Sequence, residues 1–378
     1  MRVLIITGMK NSGGTERATV NLCDALQREK ISTILFSDNG PYVENIKKMG
    51  VSHIEGDIHI KSNFLGTGKT VFKLAKILKE QEIDLIHAQM AFPTLLGIIS
   101  VFLAGRYNKT KILWHSRGLH AQTYKKVCFL FNLFHVYALG NSKQEMYKLI
   151  NNGMEDTKIN YIYNNFSTSF FNQTNPIISK EKYHLKKDEI IIGSVSRLEK
   201  ERGVDIFLEM CAQLHKNNKH LKFLICGDGS QKKPLEDLAK KLNIDKHTIF
   251  LGSVTEMYSV YQLIDILINP LNLSKGEGAG VGNNIVEAFF SKVLVISSDV
   301  AAISEIVKEN NTGYLIDINK RDESILKIEK ILSEFKRDGV IQQNAYNFSQ
   351  QMFTTEQYGK KIKKIYQKII ENKDIHEI

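Results

Sequence analysis

The chain contains 378 residues, and 51 Lys and Arg against 41 Asp and Glu give it a formal net charge of +10. The length predicts two domains, and 43% hydrophobic with 24% charged residues excludes a wholly disordered chain. The four scattered cysteines argue against a disulfide framework or a zinc site. Because the sequence contains neither a signal peptide pattern nor an apolar run of roughly 18 residues, we expect a cytoplasmic protein.

Short apolar runs alternate with helical patterns through the first half of the chain. Residues 3–7, 32–36, 84–88 and 111–114 are predicted to be buried strands. A helix follows the first strand, since apolar residues recur on one face of 18–26. Strands that alternate with helices form right-handed βαβ units, so we predict a parallel, doubly wound sheet.

The positive charge is concentrated between residues 101 and 150, where eight basic residues and one acid give a net charge of +7. An aromatic and aliphatic run, 127–134, lies within this window. Basic residues attract anionic lipid headgroups and bulky apolar side chains enter the acyl boundary, so the pattern indicates a membrane contact. The residues assigned to it are Arg106, Lys109, Lys125 and Lys126. A buried helix with a solvated basic face explains the same pattern, whereas no nucleic-acid-binding signature accompanies the charge.

The second half repeats the alternation after a polar linker at 167–189. Its predicted strands are 190–195, 222–226, 248–251, 266–269 and 293–297, and residues 355–370 form an amphipathic helix. The simplest architecture is two facing Rossmann-like domains, and the expected ligand site is a cleft at the carboxyl ends of their strands.

Glycines follow strands at two places in the chain. Gly13 and Gly14 separate the first strand from the first helix, where a backbone approaches a ligand closely and a helix N-terminus attracts anions. Gly227 and Gly229 follow the strand at 222–226. Neither run matches the dinucleotide fingerprint, and a tight turn without a ligand explains either one.

Two arginines, Arg197 and Arg202, bracket the loop after the strand at 190–195. Two cations at the carboxyl end of a strand can neutralise a diphosphate as it leaves. A solvated, charged turn is the alternative interpretation.

The most informative stretch is the glycine-rich loop at 274–288, which leads into a helix. Backbone amides at the start of that helix are predicted to bind an anion, and a carboxylate one turn later can accept two hydrogen bonds from a vicinal diol such as a ribose. The donor-binding candidates in this stretch are Gly280, Gly282, Asn283, Asn284 and Glu287.

These motifs, in this order, resemble the retaining glycosyltransferases of family 4, and the resemblance runs nearly end to end. The motifs that carry it are Gly13-Gly14-Thr15-Glu16, 84–88, Trp114-His115, Tyr163-Asn164-Asn165, Ser196-Arg197-Leu198, Arg202-Gly203, Cys226-Gly227-Asp228-Gly229, Phe250-Leu251-Gly252, Glu287-Ala288, Glu305-Ile306-Val307 and Asn311-Thr312-Gly313-Tyr314-Leu315. The resemblance implies a GT-B fold, with an acceptor-binding domain at 1–170, a nucleotide-sugar-binding domain at 171–354, and a C-terminal helix at 355–378 that packs back on the first domain.

The resemblance also implies roles for single residues. Gly14 would contact the donor phosphates, while Arg197 and Arg202 would hold the diphosphate. Glu287 would bind the ribose and Val254 would pack against the base. His115 would lie near the transferred sugar as a candidate catalytic residue. Because cations and helix termini offset the diphosphate charge, we expect no metal cofactor.

The sequence departs from the family pattern at the first of two glutamates that are separated by seven residues. The position eight residues before Glu287 is Ala279, and the nearest acid is Glu277. Either the glycine-rich loop bulges and Glu277 still faces the donor sugar, or that contact is lost. The neighbouring glycines make a bulge sterically cheap, so we predict the first.

The resemblance implies transfer of a sugar from a nucleotide diphosphate sugar, UDP-linked in preference to GDP-linked, to a glycan or lipid-linked glycan acceptor. Such chemistry belongs to bacterial surface polysaccharide synthesis, of lipopolysaccharide or capsule, at the anionic inner face of the cytoplasmic membrane. No nucleic acid partner is expected. Two alternatives remain: a nucleotide-sugar epimerase on the same fold, and a nucleotide-sugar-binding protein without catalytic activity.

Overall fold

The structure is a computed structural model that describes residues 1–11, 13–58, 64–167, 179–254, 256–273, 278 and 280–376. The chain divides into two compact units. The N-terminal unit comprises Met1–Ser167 together with Met352–Ile378, and the C-terminal unit comprises Thr168–Gln351. Residues 168–178 of the linker predicted at 167–189 lie outside the described residues.

A seven-stranded parallel sheet forms the centre of the N-terminal unit, with the order β3-β2-β1-β4-β5-β6-β7. Its strands are β1 (Arg2–Ile6), β2 (Ser32–Ser37), β3 (Ser52–Glu55), β4 (Leu85–Gln89), β5 (Lys111–Ser116), β6 (Tyr137–Gly140) and β7 (Ile159–Tyr161). The four strands predicted in this half are confirmed. Sequence analysis missed β3, β6 and β7, which have three or four residues each.

Helices cover both faces of this sheet and bury β1 from Val3 to Ile6. The helices before the C-terminal segment are α1 (Gly14–Arg28), α2 (Val43–Lys48), α3 (Phe64–Glu80), α4 (Ala91–Leu103), α5 (Tyr124–Leu133) and α6 (Lys143–Asn151). Val3 and Ile5 belong to one core layer, while Leu4 and Ile6 belong to the other. A strand buried on both faces is therefore apolar at every position, as the run at 3–7 predicted.

The C-terminal unit contains a second parallel sheet, six-stranded, with the order β10-β9-β8-β11-β12-β13. Its strands are β8 (Ile190–Val195), β9 (Leu221–Cys226), β10 (Thr248–Gly252), β11 (Ile266–Asn269), β12 (Leu294–Ser298) and β13 (Tyr314–Ile316). The five strands predicted here are confirmed, and β13 was missed. In each unit the first strand lies between the second and the fourth, which is the Rossmann order.

Within the described ranges, six helices accompany the second sheet. They are α7 (Val204–Asn217), α8 (Lys232–Lys241), α9 (Met257–Tyr261), α10 (Asn283–Phe290), α11 (Arg321–Glu334) and α12 (Val340–Met352). Asp265, just before β11, accepts hydrogen bonds from Ile191 N at 2.9 Å and from Arg337 Nε at 2.7 Å. This carboxylate therefore helps to fix the position of β11 beside β8.

The last helix, α13 (Thr355–Ile370), belongs to the N-terminal unit and packs on α1. It buries Ile362, Ile365 and Tyr366 in the core layer that contains Val3. Gly359 favours the close approach, since a Cβ there would make tight contacts of 3.1 Å with Glu29 Cγ and 3.3 Å with the carbonyl oxygen of Ala25. Among the residues that the structure describes, no helix has the length and apolar character of a membrane-spanning segment.

Candidate functional site

The C-terminal unit offers a ligand position where its strand order reverses, between β8 and β11. The side-chain amide of Asn284 donates hydrogen bonds to the carbonyl oxygen of Val195 and to Asn269 Oδ1, both at 2.9 Å. These bonds tie the first turn of α10 to the carboxyl ends of both strands. The start of α10 is therefore held at the position where open α/β sheets bind ligands.

The glycine-rich loop delivers the chain to α10 with positive backbone φ angles. Gly278 has φ +77° and Gly282, the residue before the helix, has φ +84°. Gly282 has no side chain that could cap the helix, so the N-terminal turn suits an external anion. Gly280 lies in the same described segment, whereas Glu277 and Ala279 are outside the described residues.

Glu287, the fifth residue of α10, is a buried carboxylate held by a tyrosine. The Tyr261 hydroxyl donates to Glu287 Oε2 and to the carbonyl oxygen of Asn284, both at 3.0 Å. Burial and then the Glu287 charge raise the pKa of Tyr261 well above its ordinary value, so Tyr261 stays a donor. Sequence analysis did not single out Tyr261, whose only signal was its position shortly before a predicted strand.

The two arginines predicted to bind a diphosphate lie in the loop after β8. The Arg197 side chain is exposed and pairs with Glu201 at 3.7 Å. Arg202 is half-buried, and its Nε atom is buried without a hydrogen-bond partner in the described part of the chain. Burial and then the charge of Arg197 lower the pKa of Arg202. An anion between the two guanidinium groups would relieve both effects.

Close backbone packing shapes this loop. A Cβ on Gly203, which has φ +68°, would lie 1.9 Å from the carbonyl oxygen of Pro270. A Cβ on Gly227 would lie 1.8 Å from the carbonyl oxygen of Ser196, and Leu198 N donates to Asp228 O at 2.9 Å. Packing against the arginine loop therefore accounts for the glycines at 227–229. Val254, the candidate base contact, is half-buried after β10.

The N-terminal unit places His115 at the end of β5, opposite Gln89 of β4 in the parallel register. His115 is 1% exposed and Gln89 is fully buried. His115 Nε2 and Gln89 Nε2 have no hydrogen-bond partner among the described residues. Buried polar atoms are nearly always satisfied, so two such nitrogens on neighbouring strands indicate a ligand position.

Arg117 orients this pair from the adjoining loop. Its Nε and Nη2 atoms donate to Gln89 Oε1 at 2.9 and 2.7 Å, and its Nη1 atom donates to Asn164 Oδ1. Burial lowers the pKa of Arg117 to about 10, and burial followed by the Arg117 charge lowers the pKa of His115. Gln89 was not predicted, because one polar residue at a strand end has no characteristic spacing.

Gly14 is the first residue of α1, and its surroundings differ from those of the packed glycines. A Cβ on Gly14 would have no atom within 4 Å. Packing therefore does not require glycine here, and open space adjoins the N-terminus of α1.

The candidate membrane residues lie on the N-terminal unit in two different situations. Lys109, Lys125 and Lys126 are exposed. Arg106 is half-buried and donates to the Ile83 carbonyl oxygen at 3.3 Å and to Thr110 Oγ1 at 3.2 Å. Arg106 is thus engaged within the unit, whereas the lysines are open to solvent.

The apolar run at 127–134 has two faces in α5. Cys128 and Phe131 are buried, whereas Phe129 is 72% and Leu133 60% exposed. The same surface continues on the neighbouring helices, where Phe102 packs on Tyr107 and Phe134 with ring centroids 4.5 and 5.6 Å apart. We call this surface the apolar band, and its members are Phe72, Ile99, Phe102, Leu103, Phe129 and Leu133.

No group of three His, Cys, Asp or Glu residues that could hold a metal ion occurs in the described ranges. The expectation that the protein needs no metal stays a prediction.

Comparison with known families gives the class of protein. Residues 12–169 match the family described as Glycosyltransferase Family 4, and residues 177–348 match Glycosyl transferases group 1. Together the two matches span most of the chain. The chain belongs to the family 4 type of glycosyltransferase, as the sequence motifs predicted, and it is an enzyme of that class.

Individual glycosyltransferases are also similar to this chain in sequence or in structure. The GalNAc-α-(1→4)-GalNAc-α-(1→3)-diNAcBac-PP-undecaprenol α-1,4-N-acetyl-D-galactosaminyltransferase of Campylobacter jejuni is 27% identical over 355 residues, 88% of this chain and 89% of its own. A glycosyltransferase from Rickettsia africae has a TM-score of 0.83 at 21% identity, over 98% of this chain and 99% of its own. HepE of Anabaena in complex with UDP has a TM-score of 0.82 at 19% identity, over 96% and 99%. The chain has the GT-B fold.

Proposed function

We propose that this protein is a retaining transferase that takes a nucleotide diphosphate sugar, a UDP-sugar before a GDP-sugar, and passes the sugar to a glycan or lipid-linked glycan. The acceptor would be an intermediate of bacterial surface polysaccharide synthesis. Two relatives support this proposal: HepE binds UDP, and the name of the Campylobacter jejuni enzyme contains an undecaprenol-diphosphate-linked glycan.

The observation that carries the proposal is the pair Arg197 and Arg202. Two neighbouring guanidinium groups, one with a buried Nε that lacks a partner among the described residues, suit a diphosphate. As the bond between the anomeric carbon and the diphosphate oxygen breaks, negative charge grows on the diphosphate. Both cations would then bind it more strongly, which lowers the barrier.

We expect the acceptor hydroxyl to attack from the face that the diphosphate leaves, with its proton passing to the departing diphosphate oxygen. This front-face course keeps the anomeric configuration and needs no nucleophile from the protein. The candidate contacts of the donor sugar are Glu277 and His115.

The remaining donor contacts follow from the start of α10 and its neighbours. Backbone amides from Gly280 to Asn284 would bind phosphate oxygens, and Glu287 would accept hydrogen bonds from the ribose hydroxyls. The hydrogen bond from Tyr261 supports this role, because it fixes the carboxylate orientation. Val254 would pack on the base, and Gly14 leaves room for a phosphate beside α1.

The test combines binding with product analysis on the full chain. Thermal shifts with UDP-, GDP-, ADP- and CMP-sugars identify the donor, and NMR of the product with a polyprenyl-diphosphate glycan reports the anomeric configuration. We expect the largest shift with a UDP-sugar, turnover that survives EDTA, and retained configuration. An inverted product would contradict the proposal.

The two alternatives have distinct outcomes in the same experiment. A nucleotide-sugar-binding protein would bind the donor tightly and transfer nothing to any acceptor tested. An epimerase would change the donor sugar without an acceptor.

We also propose that the apolar band docks on an anionic membrane surface. The exposed Lys125 and Lys126 lie on the same helix as Phe129 and Leu133, a combination that binds acidic headgroups and the acyl boundary together. Phe72 and Leu103 line one surface depression with Lys76, Lys79 and Glu80, so basic residues adjoin this part of the band as well. Binding at this surface would bring the enzyme close to a lipid-linked acceptor.

A further inference from the structure

A chain of three buried side chains connects the C-terminal helix to His115. Tyr366 Oη lies 2.5 Å from His87 Nδ1, and His87 Nε2 lies 3.2 Å from His115 Nδ1. Tyr366 and His87 are fully buried, and His115 is 1% exposed. The chain ends at His115 Nε2, one of the two nitrogens without a partner among the described residues.

One direction of hydrogen bonding satisfies every polar atom of this chain up to His115 Nδ1 and leaves only His115 Nε2 without a partner among the described residues. In the described part of the structure, the Tyr366 hydroxyl has His87 Nδ1 as its hydrogen-bond partner. If His87 donated, the buried phenol proton would lack an acceptor, which is costly. The phenol therefore donates to Nδ1, so the proton of the His87 ring is on Nε2.

The tautomer of His115 follows from that of His87. His87 Nε2 donates to His115 Nδ1, and a neutral imidazole that accepts at Nδ1 bears its proton on Nε2. Both rings are neutral, because burial and then the Arg117 charge lower the pKa of His87 to about 3 and that of His115 well below its ordinary value.

We infer that Tyr366 and His87 are positioning residues that fix the tautomer of His115, so that its Nε2 donates a hydrogen bond into the candidate site. Gln89 is oriented in a comparable way, since its oxygen accepts two bonds from Arg117 and its amide nitrogen stays a donor. Neighbouring positions on β4 and β5 thus present two neutral N–H donors. Such a pair recognises an oxygen with free lone pairs, and the inference that this oxygen belongs to the donor sugar rests on the proposed function.

The direct test is nitrogen-15 NMR of the full chain with labelled histidines, since protonated and unprotonated imidazole nitrogens resonate far apart. We expect His115 with a protonated Nε2 and an unprotonated Nδ1, assigned by comparison with His115→Gln. Tyr366→Phe removes only the hydroxyl and should shift His115 toward a mixture of tautomers. Tyr358→Phe, a buried tyrosine on the same helix without a contact to either histidine ring among those described, is the matched control and should leave the His115 signals unchanged.

Kinetics provide a second readout. Tyr366→Phe should lower kcat/KM by about tenfold, the effect of one misaligned hydrogen bond. The double variant Tyr366→Phe/His115→Ala should lose no more activity than His115→Ala alone, because Tyr366 acts through His115. Before either comparison, thermal unfolding should show that the Tyr366→Phe variant is folded.

Two results would overturn the inference: a wild-type His115 protonated on Nδ1, or an unchanged His115 tautomer in Tyr366→Phe. The proposed function fails in a different way. If Tyr366→Phe alters the tautomer as expected while turnover stays at the wild-type level, the positioning of His115 stands and its contact with the donor sugar is disproved.

Discussion

Arg202 is partly buried beside Arg197, and burial together with the neighbouring charge lowers the pKa of its guanidinium. The protein therefore holds two like charges near each other at the carboxyl end of β8, at a cost to its own stability. A bound diphosphate would reverse that cost. Stability and ligand binding therefore oppose each other at this pair of arginines.

Arg202→Ala should strongly reduce transfer while the fold persists. We expect turnover to fall on the order of 10²-fold, since a charge-stabilising contact is lost, and the unfolding temperature to stay equal or rise because a repulsion is removed. Steady-state kinetics and thermal unfolding, each with and without UDP, measure both effects. Arg28→Ala, which removes an exposed arginine of α1 paired with Asp24, is the control. Normal turnover in Arg202→Ala would contradict the assignment.

Glu287→Gln should remove ribose recognition specifically. The wild type should bind UDP more tightly than 2′,3′-dideoxy-UDP, because the carboxylate accepts from both hydroxyls, by on the order of tenfold per lost charged hydrogen bond. Titration calorimetry should find that Glu287→Gln binds the two nucleotides equally. A variant that keeps the full preference would place the ribose elsewhere.

Gly14→Val and Gly203→Ala should have opposite effects. A side chain at Gly14 enters open space, so stability should not fall, whereas turnover should drop if phosphates occupy that space. A Cβ at Gly203 would collide with the Pro270 carbonyl and would also strain a residue at φ +68°, so this variant should be destabilised by a few kcal/mol. Thermal unfolding separates the two, and unchanged kinetics in Gly14→Val would exclude a phosphate beside α1.

Acid should destabilise the protein through His87. Its pKa falls from 6.5 to about 3 because of burial and then the Arg117 charge. Below about pH 6.5, His87 therefore binds a proton in the unfolded chain but not in the folded chain. The free energy of unfolding falls by a few kcal/mol in total as the pH decreases from about 6.5 toward 3. In denaturant titrations His87→Asn should flatten this pH slope, and the exposed His120→Asn should not. Equal slopes in wild type and His87→Asn would refute the prediction.

Membrane binding should need both the lysines and the apolar band. Lys125→Gln/Lys126→Gln should weaken sedimentation with phosphatidylglycerol vesicles about thirtyfold, since each basic residue near such a surface contributes about 1 kcal/mol. Phe129→Ser should weaken it at any salt concentration, because its contribution is apolar. Lys241→Gln/Lys246→Gln, an equal change of charge on the C-terminal unit, is the control. Binding that ignores anionic lipid would disprove the membrane contact.

The sequence predicted nine of the described strands, because their runs are largely apolar. It missed β3, β6, β7 and β13, which have only three or four residues each, too few for a clear pattern. The sequence indicated the glycines at 227–229 as a candidate ligand motif. Their spacing does not show that a Cβ at Gly227 would collide with the Ser196 carbonyl oxygen. The sequence also did not predict that one apolar face of α5 is exposed, because periodicity does not indicate whether a second apolar face is covered.

By itself, the sequence determined the alternation of strands and helices, the positions of Arg197, Arg202 and Glu287 after strands or within a helix start, and the family. Local patterns suffice for these, because hydrophobic period and motif spacing act over a few residues. Only the tertiary structure decided which side chains meet: Tyr261 with Glu287, Arg117 with Gln89, and Tyr366 with His87 across 279 positions of the chain. Such partners are set by how helices pack on a sheet, and packing joins residues whose separation in sequence leaves no trace in either segment.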